Sequence, residues 1–288
     1  MSEPKVREMT PEARRKVRAF LMTVPALAVL ALVLLAPLVI VVARSVTEPQ
    51  PGLENYRWFF ATPVNLTVLA RTFKVAFWVT LLCVVVAYPY AFAMSVAGRK
   101  LRLLLILCVL VPFWVSGVVR TFAWVILLQD SGLINKTLLA MGFEKIRLIR
   151  TQTGVTIGMV QILLPFMIMP LYSVMRGIDL RLLLAARSLG ARPVASFFQI
   201  YLPLSLPGVF AGATIVFILA LGFYITPLLL GGASSTLLST LIQQQVLSLL
   251  NWGHGGAMGV VLLAATFGGL LIAAPLMRRR YPVTGGER

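Results

Sequence analysis

The chain is poor in charge, cysteine and histidine. Only 12% of its 288 residues are charged, and it has two cysteines and one histidine. Soluble domains contain about 25% charged residues, so this composition leaves too little polar surface to face water. Cys83 and Cys108 are too few for a disulfide framework, and His254 has no partner ligand nearby for a metal site.

Catalytic motifs are also missing from the sequence. There is no G-x-x-x-x-G-K-[ST] phosphate loop, so we expect no ATP hydrolysis by this chain and no bound cofactor. None of the nine acidic residues falls inside a long apolar run, and no nucleophile lies near the single histidine. We therefore predict no catalytic residue and no metal ligand, and a function other than that of an enzyme.

Apolar residues are abundant instead, at 59% of the chain with a mean hydropathy of +0.92. A bilayer-spanning helix needs about 20 mostly apolar residues. Six segments qualify, so the sequence predicts an all-α integral membrane protein with six transmembrane helices. The predicted spans are Phe20–Val42, Val75–Val96, Leu103–Leu128, Val155–Val174, Val209–Leu230 and Met258–Met277.

Basic residues give the chain a net charge of +17. On a soluble protein such a charge would suggest nucleic acid, but here most bases flank apolar runs, as membrane topology requires. Most of them lie in residues 1–19, in the second and fourth loops and in residues 278–288. The positive-inside rule therefore places both tails in the cytoplasm and predicts no nucleic-acid partner.

The fourth loop has a structure of its own. Asp179 is a suitable N-cap, Gly190 fits the position after a helix, and Pro193 opens a second short helix that we expect to end before Pro203. The helix between them, Leu180–Leu189, carries an apolar face. That face consists of Leu182, Leu183, Ala186 and Leu189. It either packs beneath its own bundle or docks a soluble partner, and the pattern alone leaves both open.

This loop resembles the EAA loop of permease subunits in binding-protein-dependent ABC importers. Residues 185–190 read Ala-Ala-Arg-Ser-Leu-Gly, and after nine further residues 200–203 read Ile-Tyr-Leu-Pro. Leu184 stands where that family has Glu. The resemblance implies a cytoplasmic coupling helix within an EAA-like loop at 179–207. The residues that it assigns to coupling with an ATPase are Leu182, Leu183, Ala185, Ala186 and Gly190.

Further segments are similar to the spermidine/putrescine-type permeases, a subgroup that also covers opine and phosphonate importers. They include Val-Pro-Phe-Trp at 111–114, Leu-Pro-Phe at 164–166 and Gly-Phe-Tyr-Ile-Thr-Pro at 222–227. The resemblance implies a five-helix permease core at 71–277, preceded by one extra helix at 20–42. It also implies a bacterial inner-membrane location, two ATPase subunits, a second, non-identical permease, an external solute-binding protein and a polyamine or related amino compound as cargo.

Arg120 is the only charged residue inside a predicted span. Arginine in hydrocarbon costs at least about 2.5 kcal/mol, so its side chain should face protein, water or a ligand. One interpretation is structural, with the guanidinium capping backbone carbonyls or reaching Gln161. The other is that Arg120 lines the translocation pathway.

Prolines beside aromatic residues mark the second, third and fifth spans. Proline frees backbone carbonyls, which are tolerated at membrane depth only where protein or a water-filled cavity receives them. Aromatic faces bind ammonium groups, although such rings are more often packing or interface residues. The residues predicted for the pathway are Tyr88, Trp114, Arg120, Tyr224 and Thr226.

The segment Leu237–Leu250 is apolar but too short to span, so we expect a helix at the outer surface. Two other classes of membrane protein were weighed. An ion-coupled secondary transporter would need intramembrane carboxylates and usually inverted repeats, and the sequence contains no sign of either. A structural or assembly protein would have no reason for the spacing between Gly190 and Pro203.

Overall fold

A computed structural model describes residues 11–278, with side chains for 20 and 22–271. The tails that we placed in the cytoplasm, 1–19 and 278–288, fall largely outside these residues. The described chain is mostly helical and contains no strand. Its α-helices are α1 Pro11–Thr47, α2 Glu54–Ala61, α3 Pro63–Val96, α4 Arg99–Leu110, α5 Gly117–Leu128, α6 Leu133–Ala140, α7 Gln152–Arg176, α8 Arg181–Ser188, α9 Pro193–Ser196, α10 Leu202–Gly222, α11 Ile225–Leu230, α12 Leu238–Gln243 and α13 Trp252–Arg278.

Six helical stretches in the described chain are long and apolar enough to cross a membrane, which confirms the predicted number. They are Met22–Thr47, Pro63–Val96, Gly117–Ala140, Gln152–Arg176, Pro193–Gly222 and Trp252–Leu271. The prediction of one continuous third span over 103–128 is wrong. That segment holds α4 and α5, separated by a 3₁₀ turn at Val111–Trp114 and two extended residues.

Helices α3, α7 and α10 form the core of the protein. They pack against one another and supply most of its fully buried side chains, including Val79, Met159 and Val216. Glycine allows α10 to approach α7 closely, because a Cβ atom on Gly212 would lie 2.7 Å from the sulfur of Met167. Small residues at such contacts are typical of helix packing in membranes.

Helices α1 and α13 lie beside this core. They pack against each other, and α13 also contacts α2 and α12. The apolar side chains of α1 between Met22 and Thr47 remain almost entirely exposed within the single chain. Because exposed leucine and valine are unfavourable in water, this surface faces lipid or another subunit.

Candidate translocation site and coupling surface

Two membrane helices are interrupted near aromatic residues. The first break lies at 111–116, where Pro112 sits in the 3₁₀ turn and Val115 is extended. The indole of Trp114 projects from this turn and is 89% exposed. At the second break α10 ends at Gly222, Phe223 is extended, and α11 starts at Ile225. Tyr224 lies in this break and is 41% exposed.

Polar side chains from other helices satisfy backbone groups around the second break. The Ser239 hydroxyl donates to the Phe223 carbonyl at 2.7 Å. One residue earlier, the Leu238 N–H donates to the Thr72 hydroxyl at 2.9 Å. Helix α12 therefore ties the break to α3. Within Leu237–Leu250, where we expect a helix at the outer surface, the chain forms α12 and a π-helical segment, and Leu238, Ser239 and Thr240 are buried against the bundle.

The helices that follow the two breaks pack against each other through buried threonines. The Thr121 hydroxyl donates to the Gly117 carbonyl at 2.8 Å, so the Thr226 hydroxyl donates to Thr121 across 3.0 Å. Both threonines are fully buried. Thr226 therefore joins α11 to α5 and offers no surface to a passing solute in this conformation, contrary to its predicted place on the pathway.

Tyr88 belongs to an aromatic cluster near the predicted cytoplasmic end. Its hydroxyl is hydrogen-bonded to Ser205 at 2.8 Å, and its ring meets Phe197 edge-on at 6.0 Å. Tyr201 is fully buried, stacks on Phe197 at 5.6 Å and shares a hydrogen bond of 3.0 Å with Ser95. The rings of this aromatic cluster are Tyr88, Phe92, Phe197 and Tyr201. Tyr88 thus connects α3 to the fifth span.

Arg120 carries an unpaired guanidinium. In the described chain its Nε and Nη1 atoms are buried and have no hydrogen-bond partner. The expected partner, Gln161, is taken by Trp124, whose indole N–H donates to its Oε1 at 3.2 Å. The structure therefore gives no support to the pairing of Arg120 with Gln161, and these two guanidinium nitrogens, in the first turn of α5, have no partner among the described residues.

The helix predicted in the fourth loop forms as α8, Arg181–Ser188. Asp179 accepts a hydrogen bond from the Arg181 N–H at 2.9 Å. At the other end Gly190 has φ +89°, and two bonds of 3.0 Å, Gly190 N–H to Arg187 and Ala191 N–H to Ala186, complete a Schellman motif. A Cβ atom at Gly190 would meet nothing within 4 Å, so only the backbone conformation requires glycine.

The predicted apolar face of α8 is divided between two directions. Leu183 and Ala186 are half-buried, and Leu183 packs against the main core. Leu182 and Ala185 are exposed, as are Leu184 at 60% and Leu189 at 90%. One side of α8 therefore rests on the bundle, as the first interpretation expects, and the other side leaves a leucine surface uncovered.

The second short helix does not end before Pro203. From Pro193 the chain continues through α9, a π-helical segment at Phe197–Tyr201 and α10, giving one helical stretch of 30 residues. In the π-helical segment the Leu202 N–H donates to the Phe197 carbonyl, five residues earlier. Pro203 follows directly, and because proline has no backbone N–H, it leaves no donor unsatisfied. Helix α8 thus leads through one short turn into the fifth span.

The chain was compared with known proteins. No protein-family model matches it. It is 38% identical over 212 residues to the spermidine/putrescine transport system permease protein PotB of Haemophilus influenzae and to that of Escherichia coli. These alignments cover 73% of this chain and 74% and 77% of the two relatives. The E. coli inner membrane ABC transporter permease protein YdcU is 31% identical over 233 residues, covering 76% of this chain and 71% of YdcU.

The chain belongs to the PotB family of ABC transporter permeases. The fold agrees, because a chain of a bacterial alginate ABC transporter, solved with an alginate-bound periplasmic protein, superposes with a TM-score of 0.76. At 17% identity, covering 93% of this permease and 96% of that chain, this likeness concerns the fold alone. The resemblance found in the sequence is confirmed, as is the fold class of an ABC-importer permease.

Sequence reasoning missed the polar residues that join the helices to one another. Thr72, Thr121, Ser205 and Ser239 lie in apolar surroundings and bond to groups that are distant in sequence. The only available signal was a hydroxyl residue inside a hydrophobic run. That signal is weak, because such a hydroxyl can instead bond to the carbonyl four residues earlier on its own helix.

Arg120→Leu should separate the two interpretations of Arg120. An arginine within a membrane helix costs up to about 2.5–3.5 kcal/mol more than an apolar residue, and the Nε and Nη1 atoms of Arg120, near the start of α5, have no described partner to offset the cost. We expect the variant's thermal midpoint in detergent to stay the same or rise, while uptake by the complete transporter falls. Thr121→Val, which removes a hydrogen bond that the structure contains, is the matched control and should lower the midpoint.

A midpoint of Arg120→Leu lowered as far as that of Thr121→Val would show a structural role. Unchanged uptake kinetics would remove Arg120 from the pathway.

Proposed function

We propose that this permease forms one half of the transmembrane pathway of an ATP-driven importer for a polyamine or a related small amino compound. The observation that carries the proposal is 38% identity, over about three quarters of the chain, to two permeases named for spermidine and putrescine. The importer lies in the bacterial inner membrane, with both termini of this subunit in the cytoplasm. A solute-binding protein delivers the cargo, and a second, non-identical permease completes the pathway.

Two separate ATPase subunits supply the energy, and α8 is the contact with one of them. The exposed leucines Leu182, Leu184 and Leu189 suit an apolar groove. On its inner side α8 meets the segment that leads into the π-helix and the aromatic cluster. Displacement of α8 by a closing ATPase pair is thereby passed to α3 and α10, which form the core.

The helix breaks provide the pathway's surface. Trp114 and Tyr224 are exposed beside interrupted backbone, where carbonyls and aromatic faces can receive an ammonium group. Each such ring contributes about 0.5–2 kcal/mol, which permits release of the cargo. Selectivity then rests mainly with the binding protein.

Reconstitution tests this function directly. The permease is copurified with its ATPase and second permease, placed in liposomes, and supplied with spermidine, the binding protein and internal ATP. We expect uptake that requires both ATP and the binding protein. Uptake driven by an ion gradient without ATPase would favour a secondary transporter, and uptake of anionic solutes but not spermidine would overturn the substrate class.

Gly190→Val should weaken the coupling to the ATPase. A β-branched residue at positive φ is strained, at about 1–3 kcal/mol, so the end of α8 should unravel and less ATPase should copurify. Gly190→Asn is the permissive control, since Asn tolerates this conformation. Gly142→Val is the matched control at the opposite end of the molecule. Gly142 has φ +83°, open surroundings and the same Schellman bonds after α6. Full retention of ATPase and transport in Gly190→Val would contradict docking through α8.

Alanine at Trp114 and Tyr224, singly and together, should reduce uptake. Loss of both rings removes about 1–4 kcal/mol of cation–π attraction, so we expect the double variant to transport several-fold more slowly at saturating loaded binding protein. Phe267→Ala serves as control, because Phe267 is an exposed aromatic residue of α13, away from both breaks. Undiminished uptake in the double variant would remove these rings from the pathway.

A further inference from the structure

A basic cleft lies at the predicted outer end of the molecule, outside the pathway and the coupling surface. It is a polar depression of about 490 Å³ between the end of α5 and the loop that precedes α7. Three basic side chains and one acidic side chain line it. Its polar lining consists of Gln129, Asp130, Ser131, Lys145, Arg147 and Arg150. In the described chain none of its charged groups forms an ion pair, so the one acidic group leaves the three basic groups in excess and the cleft presents a net positive charge.

Hydrogen bonds hold the two walls of the cleft at a fixed separation. Asn135 of α6 is fully buried, and its amide group donates to the carbonyls of Gln129 at 3.2 Å and Ile146 at 3.0 Å. Its side-chain oxygen accepts from the Ile146 N–H at 2.9 Å. The Asn135 side chain thus bonds to the backbone of both walls, and the backbone that carries the basic groups is already ordered before any partner binds.

The cleft is also connected to the helix that follows the second break. Arg150 has φ +60°, a conformation that is uncommon for a residue other than glycine. In this conformation its N–H donates to the carbonyl of Leu230, the last residue of α11, at 2.8 Å. A displacement of the loop that precedes α7 is therefore transmitted directly to α11. Helix α11 in turn packs against α5 through Thr226 and Thr121.

From this geometry we infer that the basic cleft is the docking site for an acidic surface of the solute-binding protein. The inference rests on the proposed function, because it requires a binding protein as partner. A fixed frame suits a protein surface of fixed shape, whereas fluid lipid headgroups do not require one. The bond from Arg150 to Leu230 lets docking bias the position of α11 beside the pathway.

Charge reversal in the cleft tests the inference. The variant is Lys145→Glu with Arg147→Glu, and Arg150 is left intact because of its backbone conformation. The assay is ATPase stimulation of the reconstituted transporter by the spermidine-loaded binding protein that supports uptake. We expect the concentration for half-maximal stimulation to rise about tenfold or more at about 0.1 M salt, with basal ATPase activity unchanged. The difference should shrink at about 1 M salt, where the Debye length falls to about 3 Å.

Arg57→Glu with Lys136→Glu is the matched control. It makes the same change in charge at the same end of the molecule, at exposed residues of α2 and α6 that do not line the cleft. We expect a much smaller effect from this pair. Equal effects of the two pairs would mean that net charge, not the cleft, attracts the partner.

Two further outcomes would overturn the inference. A third outcome would contradict the proposed function instead. Stimulation of the cleft variant identical to wild type, with wild type responding normally, rejects the cleft as docking site. A defect that appears in anionic vesicles and vanishes in phosphatidylcholine vesicles assigns the cleft to lipid headgroups instead. Failure of wild type itself to respond to any loaded binding protein contradicts the proposed function and is seen before the variants are compared.

Discussion

Backbone groups that cannot reach water determine how this permease is built. Inside a bilayer every free N–H and C=O needs a partner within the protein, so an interrupted helix survives only where another segment supplies one. At the second break that partner is Ser239, on a helix that enters the bundle and is anchored in turn by Thr72. The short helix α12 thus supplies the hydrogen-bond donor that the interrupted backbone at Phe223 needs. An interrupted helix in the bilayer therefore requires polar groups from neighbouring helices beside the interruption.

The same requirement shapes the route from α8 to the core. Capping by Asp179 and the Schellman motif at Gly190 complete α8 with local bonds. Beyond Pro193 the helical stretch is not interrupted by Pro203, because the π-helical segment changes the pairing of the backbone. This segment also carries Phe197 and Tyr201 into contact with α3. A change of helix type, frequent at functional sites, here lies where the segment after α8 meets α3 and α10.

Local patterns predicted those features whose physics is local. The lengths of the apolar segments predicted six spans, and a capping residue, a helical pattern and a glycine in succession predicted α8. Both features depend only on residues that are close together along the chain. Tertiary partners could not be read in this way. The break at Pro112 looked like a kink within one span, since a proline alone does not reveal whether the helix resumes in line. Thr226 looked like a pathway residue because its burial depends on Thr121, more than 100 positions away. Leu182 and Leu183 looked equivalent on a helical face, and only the position of the bundle separates them.

The distribution of charge constrains how a polyamine would cross this half of the pathway. The described acidic residues lie in loops or near helix ends, whereas the membrane-crossing helices carry basic residues such as Arg71, Lys74 and Arg120. Trp114 and Tyr224 offer aromatic faces, which attract an ammonium group weakly and without a proton to exchange. For the proposed polyamine cargo, the described residues of this subunit would therefore supply aromatic contact but no counter-charge. Under the proposed function the counter-charge would come from the second permease or the binding protein, and the guanidinium of Arg120, if it faces the pathway as proposed, would repel a cation at this wall. Such an arrangement favours passage over retention, which is what a membrane subunit requires when recognition has already taken place outside it.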